Sequence, residues 1–168
     1  MKFAAGKILI SVAVLFSVYP VWGGPQEGFA AWRSGDYAAA MTELRPLALQ
    51  GNAAAQFALG TMYEGGLSVP TDLQQAAYWY RMAAEQGNAL AQLNLGVMYG
   101  SGRGVRRDEQ QAVAWFRKSA DQGNAISQRN LGLMYASGEG VPADDRQAVA
   151  WFRKAADQGF AGRLRQDR

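Results

Sequence analysis

Two residue types recur at a fixed spacing that chemistry could use: Asp72, Asp108 and Asp144, and Trp79, Trp115 and Trp151. A carboxylate can act as a general acid or base, or ligate a metal. A ladder of indole rings could stack a ligand. Neither reading fits the surroundings well. One carboxylate per 36-residue interval places the acids too far apart for a compact acid–base pair. Each Asp stands three residues before a Gln (Gln75, Gln111, Gln147), the spacing of a helix-capping box. Each Trp follows an Ala by three (Ala76, Ala112, Ala148), as on the packed face of a helix. The aspartates therefore read as caps and the tryptophans as core.

The chain holds no Cys and no His among its 168 residues. This excludes a thiol nucleophile, a disulfide, an imidazole base and the commonest ligands of zinc, copper and haem. No catalytic residue, cofactor or metal site is assigned. Arg103, Arg106 and Arg107 cluster in one loop, where they could grip an acidic partner or simply be solvated.

The elements that position these residues begin after a leader. Lys2 and Lys7 precede an apolar run, Ile8 to Val21, and Val21-Trp22-Gly23 supplies small-residue character before Gly24-Pro25. That is the layout of a secretory signal peptide, with cleavage expected after Gly23. The 14-residue run falls short of the roughly 20 residues of a membrane span, and an uncleaved anchor helix is the alternative to a cleaved leader. A periplasmic or secreted location is expected, with no stable membrane insertion once residues 1–23 are gone. Losing Lys2 and Lys7 lowers the formal charge from +3 to +1. No basic stripe is left for a nucleic acid, so none is expected as partner.

From residue 51 the chain repeats itself. Gly51-Asn52-Ala53, Gly87-Asn88-Ala89 and Gly123-Asn124-Ala125 are 36 residues apart, and Gly159 opens a fourth interval. Gln56, Gln92 and Gln128 align, as do Leu59-Gly60, Leu95-Gly96 and Leu131-Gly132. Each unit predicts two helices. Asn52, Asn88 and Asn124 cap the first. A Gly-rich turn follows, and the aspartates open the second, which ends at Gly87, Gly123 or Gly159 in a left-handed residue. Stop and start signals touch in Gln86-Gly87-Asn88, so neighbouring helices must run antiparallel. A glycine inside each first helix predicts close helix approach, with the bulky aromatics of the second helix over it.

The organisation expected is a leader (1–23), a degenerate helix-pair cap (24–50), repeats over 51–86, 87–122 and 123–158, and a C-terminal cap or tail (159–168). In the cap, Phe29 to Trp32 predict a short helix and Ala38 to Gln50 a second, which Pro46 should bend. Such an array is an all-α solenoid of about four antiparallel helix pairs.

What differs between units is as informative as what repeats. On the first helices the variable positions are Ala54, Phe57, Ala58 and Thr61; Leu90, Leu93, Asn94 and Val97; and Ile126, Arg129, Asn130 and Leu133. Offsets of three and four put them on one stripe. Close packing would hold core positions to one size. A stripe free to vary is therefore expected either to bind a partner or, at some positions, to contact the preceding repeat; Phe57, Thr61, Leu93, Asn94, Val97, Arg129, Asn130 and Leu133 are its candidate partner-binding residues.

The motif Ala-x-Ala-Gln-x-x-Leu-Gly-x-Met-Tyr, then Gly-x-Gly-Val-x-x-Asp, then Ala-x-x-Trp-Phe-Arg-Lys-x-Ala-x-Gln-Gly resembles the Sel1-like repeat. It runs through residues 51–158. The first copy departs at Ser68, in place of the second loop Gly, and at Tyr80-Arg81-Met82. A tetratricopeptide array is the near cousin, with a period of ~34 residues. The resemblance implies a curved superhelix whose first helices line a concave groove. It also implies non-catalytic adaptor, scaffold or effector-immunity work, with another protein as partner. The alternative it offers is a hydrolase acting on cell wall or β-lactam, known from a Cys-rich branch whose cysteines this chain lacks.

Overall fold

The computed structural model describes residues 25–166, so the expected leader lies outside the described residues. Eight helices follow one another: α1 (Pro25–Ser34), α2 (Tyr37–Leu49), α3 (Ala53–Gly65), α4 (Leu73–Glu85), α5 (Ala89–Ser101), α6 (Glu109–Asp121), α7 (Ala125–Ser137) and α8 (Asp145–Gln166). No strand occurs among the described residues. Each helix packs mainly on the one before and the one after it. This is the nearest-neighbour pattern of a solenoid.

The caps form where the sequence places them. The Asn88 side chain accepts from the Ala91 N–H at 2.9 Å, and Asn52 and Asn124 do the same for Ala55 and Ser127. Asp108 Oδ1 accepts from the Gln111 N–H at 2.9 Å, with Asp72 and Asp144 equivalent. The capping box is only half made. The backbone N–H of Asp72, Asp108 and Asp144 donates instead to the carbonyl of Tyr63, Tyr99 or Tyr135, at 2.9–3.0 Å. The cap's own donor is thus spent on the first helix of the same repeat and needs no Gln.

Two glycine positions set the geometry of every repeat. Gly87 has φ +92 with nothing near its missing Cβ, so the tight α4–α5 reversal needs its backbone freedom and not its size. Gly96 has ordinary helical φ, but a Cβ there would lie 2.7 Å from Phe116 Cδ1. The ring that fills this gap is Tyr80 over Gly60 and Phe152 over Gly132. The expected aromatic over the interior glycine is therefore the residue after the Trp, not the Trp itself.

The tryptophans belong to the core, as expected. Trp79, Trp115 and Trp151 are all buried. Trp115 packs with Ala91, Leu95 and Met98, and Lys118 Nζ lies 4.0 Å from its ring centre.

One expectation needs correction. The helix expected to end at Gly159 continues to Gln166. At residues 87 and 123 the glycine is followed by Asn and Ala, which start the next helix; at residue 159 it is followed by Phe160, with no cap. Pro46 lies inside α2, which runs on continuously to Leu49. Ser68, the departure in the first loop, holds the same left-handed backbone as its glycine counterparts, with φ 63. A Cβ at Gly104 would strike the Leu73 carbonyl of the preceding second helix at 2.2 Å. The unit before Ser68 has a shorter inter-helix turn, and Ser68 is exposed.

Candidate functional site

The eight candidate residues divide into three groups. Phe57 and Leu93 belong to the packing. Leu93 is only 8% exposed and sits with Val113, Phe116, Leu131 and Met134. Phe57 is half-buried, edge-on to Trp32 at 6.5 Å and 5.8 Å from Tyr80. Variation at this position follows the neighbouring helix as well as any ligand. Thr61 is half-buried, and its hydroxyl donates to the Ala58 carbonyl at 2.7 Å, within its own helix.

The second group does come together. Val97, Asn130 and Leu133 line one cavity of about 280 Å³ between α5 and α7, closed below by Phe116 and Met134. Val97 and Leu133 are exposed, as are Leu90 and Ile126 one helical heptad earlier on the same two helices. Four aliphatic side chains thus stand in two parallel pairs. The α3 counterparts are Ala54 and Thr61, so the apolar surface belongs to the second and third repeats. Arg129 is exposed on the α7 side and lines a separate cavity with Ile126.

Asn94 forms the third group, a polar cluster that self-comparison alone did not single out. Tyr80 is wholly buried and its hydroxyl donates to Glu64 Oε2 at 2.8 Å. Burial pushes the Tyr80 phenol far up, the Glu64 carboxylate adds to this, and a hydrogen bond with Asn94 opposes it. Arg103 reaches Glu64 at 3.8 Å. The signal was present in sequence: Tyr80 stands where Phe116 and Phe152 stand, and Glu64 where Gly100 and Ala136 stand. Two departures in one repeat mark a contact between them.

The arginine loop is partly committed. Arg107 Nε pairs with Glu109 at 2.8 Å, and Arg81 Nη2 donates to the Tyr99 hydroxyl at 2.9 Å. With Arg106 they line a cavity of about 530 Å³. The aspartates considered for acid–base work are the helix caps described above. Among the described residues, no group of three or more acidic side chains could hold a metal ion. No helix among them is long and apolar enough to cross a membrane.

Comparison with known proteins bears on the whole array. The Sel1 repeat pattern matches residues 53–88, 89–124 and 125–160. No curated protein sequence matches the chain. Among solved structures, the chain is similar to a protective antigen of uropathogenic Escherichia coli strains displaying an SLR fold. The identity is 42% and the TM-score 0.75, over 79% of this chain and 29% of that one. It is also similar to a Sel1 repeat protein from Oxalobacter formigenes, at 38% identity and TM-score 0.74, over 77% and 54% of the two chains. The chain thus spans under a third of the first protein and about half of the second. Cysteine rich protein B of Helicobacter pylori shares the fold at 20% identity and TM-score 0.55, over 80% and 90% of the two chains. With three successive repeats matched over well over half of its length, the chain belongs to the Sel1 repeat family.

Proposed function

We propose that this protein is an exported, non-catalytic interaction module that holds a segment of another protein against the face formed by α5 and α7. The observation that carries this reading is the exposed apolar set Leu90, Val97, Ile126 and Leu133, bordered by Arg129 and Asn130. Apolar anchors beside polar orienting groups are the make-up of a protein interface. A contiguous exposed apolar patch on a small protein marks such a site. The Sel1 repeat fold is one typically used for protein–protein contact. Adaptor, envelope scaffold and effector immunity are all compatible with this face. Export rests on the leader at residues 1–23. A hydrolase reading gains no support from the aspartates, which are spent as caps.

The test uses the tagged chain expressed with its leader. Val97→Glu with Arg129→Glu changes two exposed positions; Leu93 is left alone because it is core. The double variant should lose the partner captured by the wild type while its melting temperature barely moves, since exposed substitutions usually change stability by under about 0.5 kcal/mol. A folded double variant that still captures the same partner would refute the face. Intact mass of the exported protein should lack residues 1–23; a retained leader would refute the cleavage.

A further inference from the structure

The three inter-helix loops share a backbone course, but only the second is basic. In each, the N–H of the Asp that follows donates to the carbonyl of Tyr63, Tyr99 or Tyr135 at 2.9–3.0 Å. The residues just before that Asp are Val69-Pro70-Thr71 in the first loop and Val141-Pro142-Ala143 in the third. In the second they are Val105-Arg106-Arg107. Two loops out of three thus close with no cation at these positions, so the fold does not call for Arg106 or Arg107. Proline at this point also stiffens the loop, by restricting the unfolded chain, and Arg106 gives that up. A local departure that costs stability without improving the packing marks a functional position.

Arg106 and Arg107 line the cavity of about 530 Å³ together with Arg81, Tyr99, Asp108 and Glu109. Three guanidinium groups against two carboxylates leave an excess of one positive charge. The carboxylates are committed. Asp108 Oδ1 caps the Gln111 N–H at 2.9 Å, and Glu109 pairs with Arg107 Nε at 2.8 Å. The cations are not. Arg81 Nη2 donates to the neutral Tyr99 hydroxyl at 2.9 Å, and among the described residues neither Arg81 nor Arg106 forms an ion pair. Arg81 is half-buried and held by Tyr99, so its fork is oriented before a ligand arrives.

We propose that this cavity binds a single peptide carboxylate, taken up by Arg81 and Arg106. A guanidinium presents a planar fork of donors that matches a carboxylate with two parallel bonds. One excess positive charge balances one carboxylate. A phosphate, which carries close to two negative charges, would leave the cavity negative beside Asp108 and Glu109. The chain's own undescribed segments are unsuited to the site. Residues 1–24 contain no Asp or Glu, and residues 159–168 hold only Asp167, with Arg163, Arg165 and Arg168 around it. Val97 and Leu133 do not line this cavity, so the site does not rest on the α5–α7 face.

The test titrates short peptides into the full chain and follows the arginine Nε–H signals by NMR. Acetyl-Ala-Ala-Glu-Ala-Ala-amide carries a side-chain carboxylate. Acetyl-Ala-Ala-Gln-Ala-Ala with a free C-terminus carries a terminal one, and its amide carries none. Saturable shifts at Arg81 and Arg106 are expected from at least one acidic peptide, which identifies the source of the carboxylate, and none from the neutral amide. Arg106→Pro with Arg107→Ala copies the third loop, so the variant keeps its fold, as a thermal melt checks. It should weaken binding, read at Arg81, by about tenfold or more, the effect of losing a hydrogen bond to a charged group. Arg33→Gln with Arg146→Gln removes the same charge at two exposed positions elsewhere and should leave binding unchanged. Absence of a saturable shift overturns the proposal. Equal loss in the two double variants also overturns it, because the attraction would then be unspecific. Tighter binding of inorganic phosphate than of either acidic peptide would make this a site for a free ion and overturn it as well.

Discussion

Gln122 Nε2 donates to Gln92 Oε1 at 2.7 Å, and Gln92 in turn donates to the Ala84 carbonyl of the helix before. One buried side chain thereby links α4, α5 and α6. Gln56 with Gln86, and Gln128 with Gln158, repeat the link at 2.7 Å. The glutamines that recur through the sequence are the rivets between repeats.

Gln92→Leu keeps the volume but removes both bonds. It should cost about 1–3 kcal/mol, the usual range for leaving a buried polar partner unmade. A urea midpoint equal to wild type would show that water replaces the link.

Gly96 and Gly100 lie on the same helix and predict opposite outcomes. Gly96→Ala places a Cβ 2.7 Å from the Phe116 ring, and should destabilise by about 1–3 kcal/mol despite the better helix propensity. Gly100→Ala meets only the Ala112 Cβ at 3.7 Å, and should stabilise by up to about 1 kcal/mol. Thermal melts of the pair check both signs.

Trp115→Ala should cost roughly 3–5 kcal/mol, as for other truncated core aromatics. Its indole N–H has no acceptor among the described residues. Trp115→Phe should therefore cost much less, since no hydrogen bond is lost. Equal losses for the two variants, read by chemical denaturation, would mean that the N–H matters.

Tyr80 supplies a pH dependence. Its phenol is raised in the folded chain, first by burial and then by Glu64. The unfolded chain releases that proton near pH ~10 while the folded chain keeps it, so stability present below that pH falls as pH rises through it. Tyr80→Phe, which restores the residue found at positions 116 and 152, should flatten this fall. Identical alkaline stability profiles would show that Tyr80 does not contribute.

Much of this architecture is legible in the sequence because repetition reports it three times over. Asn88, Asp108 and Gly87 each act through local backbone geometry, and each is read correctly from its spacing; Gly96 is legible because a glycine inside a helix is costly unless another helix comes close. What escapes is contact between helices. Spacing puts Leu93 on the same stripe as Val97, but only the neighbouring Leu131 and Met134 make it core. Nothing local to Glu64 announces Tyr80, sixteen residues on; only their joint departure from the other two repeats does. The half-made capping box fails for the same reason: the donor that Gln111 would have answered is answered by the Tyr99 carbonyl, from another helix.

Packing confined to successive helices has a genetic consequence. Removing residues 88–123 would join Gly87 to Asn124 and recreate the Gln–Gly–Asn junction unaltered. Gln128 would then meet the Ala84 carbonyl in place of Gln92, and Leu131 would take the seat of Leu95. Two mismatches arise: Ser127, whose hydroxyl donates to Ser119 at 2.8 Å, would instead face Ala83, and Glu139 would take the place of Arg103, which pairs with Glu64 at 3.8 Å. Recombination in register between copies can thus lengthen or shorten the array by whole units while every other seam is conserved. The length of the proposed binding face would be inherited as a copy number, and its chemistry as the spelling of each copy.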